Sequence, residues 1–295
     1  MHISDFHEQS LCPICYSPKR RKVGLRGDRP IADLPKKNSV SVSELTLGVW
    51  DCKDCRHIYV DPCPNEEVLF KLYEHESEEY FEHLHSTDLE DFLSLLNSKT
   101  TEPGKLLDIG CGNGRLLAAA NGWTCVGVEP VASFAAKASQ FGKVYASVND
   151  VSGTFDVISI MAVLEHVEDP VLLLRKAFDL ANPGALLIIE VPNGHRIEAW
   201  ILDLLLRLSG RPWTIRTAPL QTPFHLAEFS KKSLVLAVQN LGWEIQEVST
   251  LKGTIDYPIP RVINTIFNFI QRITAPFGWG LNLTLLARKP TQTLS

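Results

Sequence analysis

From residue 105 onward, apolar runs of strand length alternate with stretches of helical period. Residues 105–109, 124–129, 143–146, 155–160 and 185–191 read as strands. They are almost continuously apolar, as parallel strands covered on both faces are. Between them, residues 115–120, 131–140 and 170–180 read as helices, the last with Asp169 as its N-cap. Strand and helix in strict alternation predict an α/β sheet with helices on both faces. Further on, Ile197, Trp200, Ile201, Leu204, Leu205 and Leu208 recur at helical spacing and predict one apolar helix face, that of a lid. Residues 262–273 predict a second apolar helix, placed in the core. Ser230 caps a helix over 231–241, with Gly242 just past its end. Residues 243–248 and 281–287 supply two last strands.

Upstream the pattern changes. Residues 1–65 hold five of the seven cysteines, many basic residues and turn formers, and residues 66–100 read helical. The expected division is therefore a small lobe over 1–65 and a larger domain over 66–295. The latter comprises a helical lead-in (66–100), a core (101–192) and a lid with the C-terminal strands (193–295).

Composition narrows the function classes. The chain has 295 residues, 45% hydrophobic and 21% charged, enough to build a core without disulfide staples. Its net charge of −5 argues against nucleic acid as a main partner, because phosphate contacts favour a basic surface. Seven cysteines, odd in number and clustered, do not describe a secreted disulfide framework, so a reducing cytoplasm is expected.

The strongest chemical signal is Asp108-Ile109-Gly110-Cys111-Gly112-Asn113-Gly114, at a strand-to-helix junction. Glycines there let the backbone turn tightly and approach a ligand. A dinucleotide site reads G-x-G-x-x-G; this loop reads G-x-G-x-G. Glu129 ends the next strand, where a carboxylate can accept hydrogen bonds from both hydroxyls of a ribose. Together the two pieces describe a nucleoside site without a phosphate clamp.

A second signal is the pair of knuckles Cys12-Pro-Ile-Cys15 and Cys52-Lys-Asp-Cys55. Two residues between cysteines bring both sulfurs to one metal, and two such turns give the closed four-thiolate shell of structural zinc. The 36 residues between the pairs exceed the usual spacing, but a longer loop costs little entropy. A redox pair or free buried thiols are the other readings.

The glycine loop, Glu129, Phe155-Asp156-Val157-Ile158, Leu164-Glu165-His166-Val167 and Asn182-Pro183-Gly184 together resemble a class I S-adenosylmethionine-dependent methyltransferase. The resemblance implies a Rossmann-like, seven-stranded, mostly parallel sheet, here carrying a small N-terminal zinc-ribbon lobe. It also implies roles. Gly110, Cys111, Gly112 and Gly114 would wrap the methionine part of the cofactor, and Asp108 would orient that loop or bind the amino group. Glu129 would hold the ribose, and Asp150, in the 147–151 segment, would contact the adenine. Main chain at Met161 and Ala162 would face the cofactor, and Tyr80 would cover it.

Base candidates lie just past the strand ends: Glu165, His166, His195 and His225. A hydroxyl acceptor needs such a base. The order of zinc lobe, helices and methyltransferase core is similar to bacterial methyltransferases assigned to sugars and cell-surface polysaccharide. The expected acceptor is therefore a sugar, nucleotide- or lipid-linked. A quinone-type phenol or lipid precursor is the alternative, since Glu165-His166-Val167 is similar to that group as well. An RNA or protein methyltransferase and a non-catalytic, cofactor-binding partner subunit are further rivals. The outward faces of the two apolar helices are poor in charge, which leaves peripheral contact with the inner face of a membrane, or a homodimer, as expected partners.

Overall fold

The structure is a computed structural model that describes residues 5–27, 46–75, 86–220, 223–251 and 261–291. The chain opens with β1 (Phe6–His7), β2 (Arg20–Gly27), β3 (Thr46–Cys52), β4 (Ile58–Asp61) and β5 (Cys63–Pro64). Among the described residues, two helices follow, α1 (Glu66–His75) and α2 (Ser86–Lys99). The core then alternates β6 (Lys105–Ile109), α3 (Arg115–Ala119), β7 (Thr124–Val128), α4 (Ala132–Ala138), β8 (Lys143–Tyr145), β9 (Phe155–Met161), α5 (Pro170–Leu180) and β10 (Ala181–Pro192). The C-terminal part carries α6 (Ile197–Leu208), β11 (Ala227–Glu228), α7 (Lys231–Gln239), β12 (Glu244–Leu251), α8 (Arg261–Thr274) and β13 (Asn282–Arg288).

Seven strands form the central sheet in the order β12-β13-β10-β9-β6-β7-β8. The five from β8 to β10 are parallel, and β13 runs antiparallel to both its neighbours. Leu107, Ile158, Leu187 and Leu285, one from each of four adjacent strands, are fully buried in one core. The chain runs from β6 outward to β8 and then returns to β9 on the other side of β6. That reversal opens a crevice beyond the carboxyl ends of the strands, where ligands of such sheets bind. Two sequence-predicted caps form: Asp169 accepts from Leu172 N at 2.9 Å. Ser230 and Ser233 close a capping box at the start of α7.

The N-terminal strands form a second sheet in the order β11-β4-β3-β2. Its edge strand β11 comes from the other end of the chain, pairing Ala227 with Tyr59 and Glu228 with Ile58. Ser230 Oγ donates to the Cys55 carbonyl at 2.8 Å, and His195 Nε2 lies 3.3 Å from the Arg56 carbonyl. The seam between the segments is therefore hydrogen-bonded along its length.

Two expectations change. The apolar faces of α6 and α8 do not point inward: α6 buries Glu198, Ala199 and Asp203, and α8 buries Asn264, Phe267 and Gln271. The cause is a polar network at the base of both helices. Arg216 pairs with Asp203 at 2.9 Å, and Arg196 pairs with Glu228 at 3.0 Å and Glu198 at 3.3 Å. Gln271 Nε2 donates to Glu198 at 2.6 Å. Buried charges persist where they are paired and hydrogen-bonded, and here the pairing dictates which way the helices face. No helix among the described residues is long and apolar enough to cross a membrane.

Candidate active site

The crevice holds a cavity of about 850 Å³. On one side lies the glycine loop. Gly110 has φ +79°, and a Cβ there would meet Val163 Cγ2 at 2.3 Å, so this position must stay bare. Gly112 has φ +52° with nothing within 4 Å of its missing Cβ, so its open side faces the cavity. Glu129 braces the loop: its carboxylate accepts from Gly112 N and Val131 N, each at 2.9 Å. Burial raises its pKa against the pull of those two amides. Asp108 is buried beneath the loop and accepts from Ser159 Oγ at 2.5 Å. Burial pushes its carboxyl up to about 6.

Asp108, Gly110, Cys111, Gly112, Glu129, Met161 and Ala162 all line the cavity. Gly114 sits just behind, as the N-cap of α3. Asp150 does not line the cavity. Ser147 caps a single 3-10 turn over Val148–Asp150, which leaves Asp150 exposed while Ser147, Val148 and Asn149 form the wall. Tyr80 lies outside the described residues.

The opposite side is built from distant segments. His166 and His225 line the cavity with their rings 4.7 Å apart, edge to face. Glu165 lies behind both, fully buried, with its Oε1 3.8 Å from His166 Nε2 and 3.9 Å from His225 Nε2. Its backbone carbonyl accepts from Leu226 N at 2.8 Å, which fixes the His225 segment against the loop after β9. Phe224, just before His225, has a left-handed φ of +61°, conformational strain of about 1–3 kcal/mol held by that contact. Burial lowers both imidazoles, His166 to about 4, so both are neutral near pH 7. Burial pushes the Glu165 carboxyl up to about 8, and neither of its oxygens has a hydrogen-bond partner. Three ligand atoms from Glu165, His166 and His225 lie within 4.8 Å of one another, a set that could also hold a divalent cation.

Sequence reading missed Tyr73. It reaches from α1 to place its hydroxyl 2.5 Å from His166 Nδ1. With Leu69 and Phe70 from the same helix and Leu172 from α5, it adds apolar surface to this part of the cavity. The spacing of Leu69, Phe70 and Tyr73 on one helix was the available signal. His195, by contrast, is turned to the lobe and does not line the cavity.

The four knuckle cysteines converge. Cys12 Sγ lies 3.5 Å from Cys55 Sγ, and Cys15 Sγ 3.5 Å from Cys52 Sγ. All four sulfurs fall within 4.8 Å of one another. A tetrahedral zinc ion with Zn–S bonds of about 2.3 Å fits such a set. Both knuckles have the same backbone form. Tyr16 N donates to Cys12 O and Arg56 N to Cys52 O, each at 2.9 Å, and Tyr16 and Arg56 are left-handed.

Comparison with known proteins agrees with this geometry. A methyltransferase-domain family profile matches residues 80–248, more than half of the chain, and the chain belongs to that family. It is 27% identical over 156 residues to the ubiquinone biosynthesis O-methyltransferase of Escherichia coli, covering 48% of this chain and 60% of that one. It is 33% identical over 110 residues to the enzyme of the same name from Rhizobium etli, covering 33% of this chain and 44% of that one. The chain thus spans about half the length of these relatives. Among solved structures, a methyltransferase from Thermotoga maritima aligns with TM-score 0.51 and 17% identity, covering 75% of this chain and 99% of that one. A chain of the complex between the Haloferax volcanii Trm112 activator and a methyltransferase aligns with TM-score 0.53 and 14% identity, covering 77% and 99%. At these identities the likeness is one of fold.

Proposed function

We propose that this chain transfers the methyl group of S-adenosylmethionine to a hydroxyl of a small apolar acceptor, a quinone-type phenol. The observation that carries this reading is a pair of neutral imidazoles, His166 and His225, facing the cavity opposite the glycine loop. In this reading Glu129 holds the ribose hydroxyls, and Gly110, Cys111, Gly112 and Gly114 wrap the methionine part. Asp108 steadies the loop, while main chain at Met161 and Ala162 borders the cofactor.

An imidazole takes the acceptor's hydroxyl proton as the oxygen attacks the sulfonium methyl carbon. The methyl–sulfur bond breaks, its electron pair stays on sulfur, and S-adenosylhomocysteine leaves. Alignment of oxygen, carbon and sulfur supplies much of the rate, and the base supplies the rest. Glu165 does not reach the cavity; it positions both imidazoles from behind.

The relatives' role in ubiquinone biosynthesis supports a phenolic acceptor, as does the apolar surface that Leu69, Phe70, Tyr73 and Leu172 contribute to the cavity. A sugar acceptor, expected from the layout of lobe and core, is supported less well, because the relatives are named for ubiquinone biosynthesis and none of those described above for a sugar. The Cys12, Cys15, Cys52 and Cys55 set would hold a structural zinc ion that shapes the lobe and takes no part in methyl transfer.

The test is calorimetric titration with S-adenosylmethionine, followed by turnover on a substituted catechol and on a nucleotide sugar. Methylation of the catechol alone is the expected result. Methylation of the sugar alone would restore the first expectation. No cofactor binding by folded protein would leave a non-catalytic subunit. Loss of turnover on chelation with the lobe still folded would make Glu165, His166 and His225 metal ligands.

A further inference from the structure

Helices α6 and α8 present their apolar sides to solvent. α6 exposes Trp200, Leu205 and Leu208 while burying two carboxylates. α8 exposes Val262, Ile266, Phe269 and Ile273 while burying Asn264 and Gln271. Phe277 and Trp279 follow α8 directly and are also exposed, Phe277 at 78%. Each such side chain left in water forgoes about 1.5–3 kcal/mol of burial. Scattered apolar residues need no explanation, but a contiguous surface of this kind marks a contact site.

Charge selects what the surface meets. Among residues 196–217 and 261–280, the acidic side chains are Glu198 and Asp203, and both are buried against arginines. The exposed charges there are Arg207, Arg261 and Arg272, in a chain whose net charge is −5. An apolar helix face with an arginine rim and two indoles is the composition of helices that lie in the headgroup plane of a bilayer. A second copy related by a twofold axis would instead bring two arginine rims together around one seam. Position agrees as well. α6 leaves the carboxyl end of β10, and α8 leads into β13, whose Asn282 pairs with Pro192 at that same end. Both helices therefore flank the end of the sheet at which the cavity opens.

We propose that α6, α8 and the 275–279 turn form a docking face for an anionic lipid bilayer. The apolar side chains enter the acyl boundary and the three arginines meet the headgroups. The binding measurement involves no turnover, so its outcome is separate from the acceptor assignment.

The test is flotation of the full chain with vesicles of phosphatidylcholine, with and without phosphatidylglycerol. Wild type floats with the phosphatidylglycerol vesicles and much less with phosphatidylcholine alone. An Ile266→Glu, Phe269→Glu variant loses at least about tenfold in partitioning while keeping its melting temperature, since both positions are exposed. An Arg261→Glu, Arg272→Glu variant loses the preference for phosphatidylglycerol. Folded wild type that ignores both vesicles would overturn the proposal. So would undiminished binding by the Ile266→Glu, Phe269→Glu variant, or a solution dimer that this variant splits.

Discussion

The two sides of the cavity are made in different ways. The side proposed for the cofactor is local: Asp108, the glycine loop and Glu129 fall within one strand-helix-strand unit, and the backbone amides of Gly112 and Val131 hold the Glu129 carboxylate. The side proposed for the acceptor is gathered from afar: Tyr73 meets His166 across 93 positions of sequence, and His225 arrives from the segment that also supplies β11 to the second sheet. A site made of backbone depends on φ and on strand ends, whereas a site made of side chains depends on everything that packs around it. The first should be insensitive to damage in the lobe, and the second should not.

Six variants put that contrast at risk. Cys52→Ser carries the largest expected effect. It removes one sulfur from the four-cysteine set and disturbs the knuckle whose carbonyl Ser230 binds. The melting midpoint should fall by more than ~5 °C, with zinc dropping from about one ion per chain to none. Equal zinc content and unchanged melting would remove the metal assignment.

His166→Ala and His225→Ala come next. The one that acts as base should lower kcat by about 10²–10⁴-fold with cofactor affinity unchanged. Because burial holds His166 near 4 and His225 well below 6.5, kcat should stay flat down the acid side until the imidazole charges. Full activity in both variants would leave the reaction without its base.

Glu129→Ala should do the reverse, weakening S-adenosylmethionine by about 10–100-fold, since it strands two loop amides as well as the ribose. A kcat effect with intact affinity would break the division between the two sides. Tyr73→Phe removes only the hydroxyl that meets His166 Nδ1. It should lower kcat by about tenfold at constant KM and move the acid limb of the pH profile, which a purely structural role would not do.

Glu165→Gln concerns stability rather than turnover. Burial raises this carboxyl from 4.5 to about 8, so across that window the unfolded chain releases a proton that the folded chain retains. Wild-type stability therefore falls as pH rises from 4.5 to about 8, and Glu165→Gln should flatten that fall, as read by denaturant titration at several pH values.

The glycine-loop side of the cavity was legible because glycines with fixed conformations and a strand-ending acid leave marks at short range. The central sheet was legible for a similar reason, its strands being apolar on both faces. Tyr73 was not, because a helix that supplies one hydroxyl to a distant histidine looks like any amphipathic helix. The placement of α8 in the core was read wrongly, and the facing of α6 was left open. Periodicity finds an apolar stripe but does not say which side of the helix meets the protein. The clue was in the other stripe: Asn264 and Gln271 lie two turns apart on α8, and Glu198 and Asp203 sit together on α6, polar groups that only partners such as Arg196 and Arg216 make tolerable inside.

The pairing of β11 with β4 bears on how this chain can be taken apart. A cut after residue 65 would release a lobe whose sheet has lost its outer strand, leaving the hydrogen-bonding groups of Ile58 and Tyr59 open to any passing edge. The remainder would keep a two-residue strand with nothing to pair. The lobe is thus not a cassette to be swapped between enzymes by joining at a linker. A working graft would have to carry residues 227–228 and the Ser230 cap with it, two inserts from one donor rather than one.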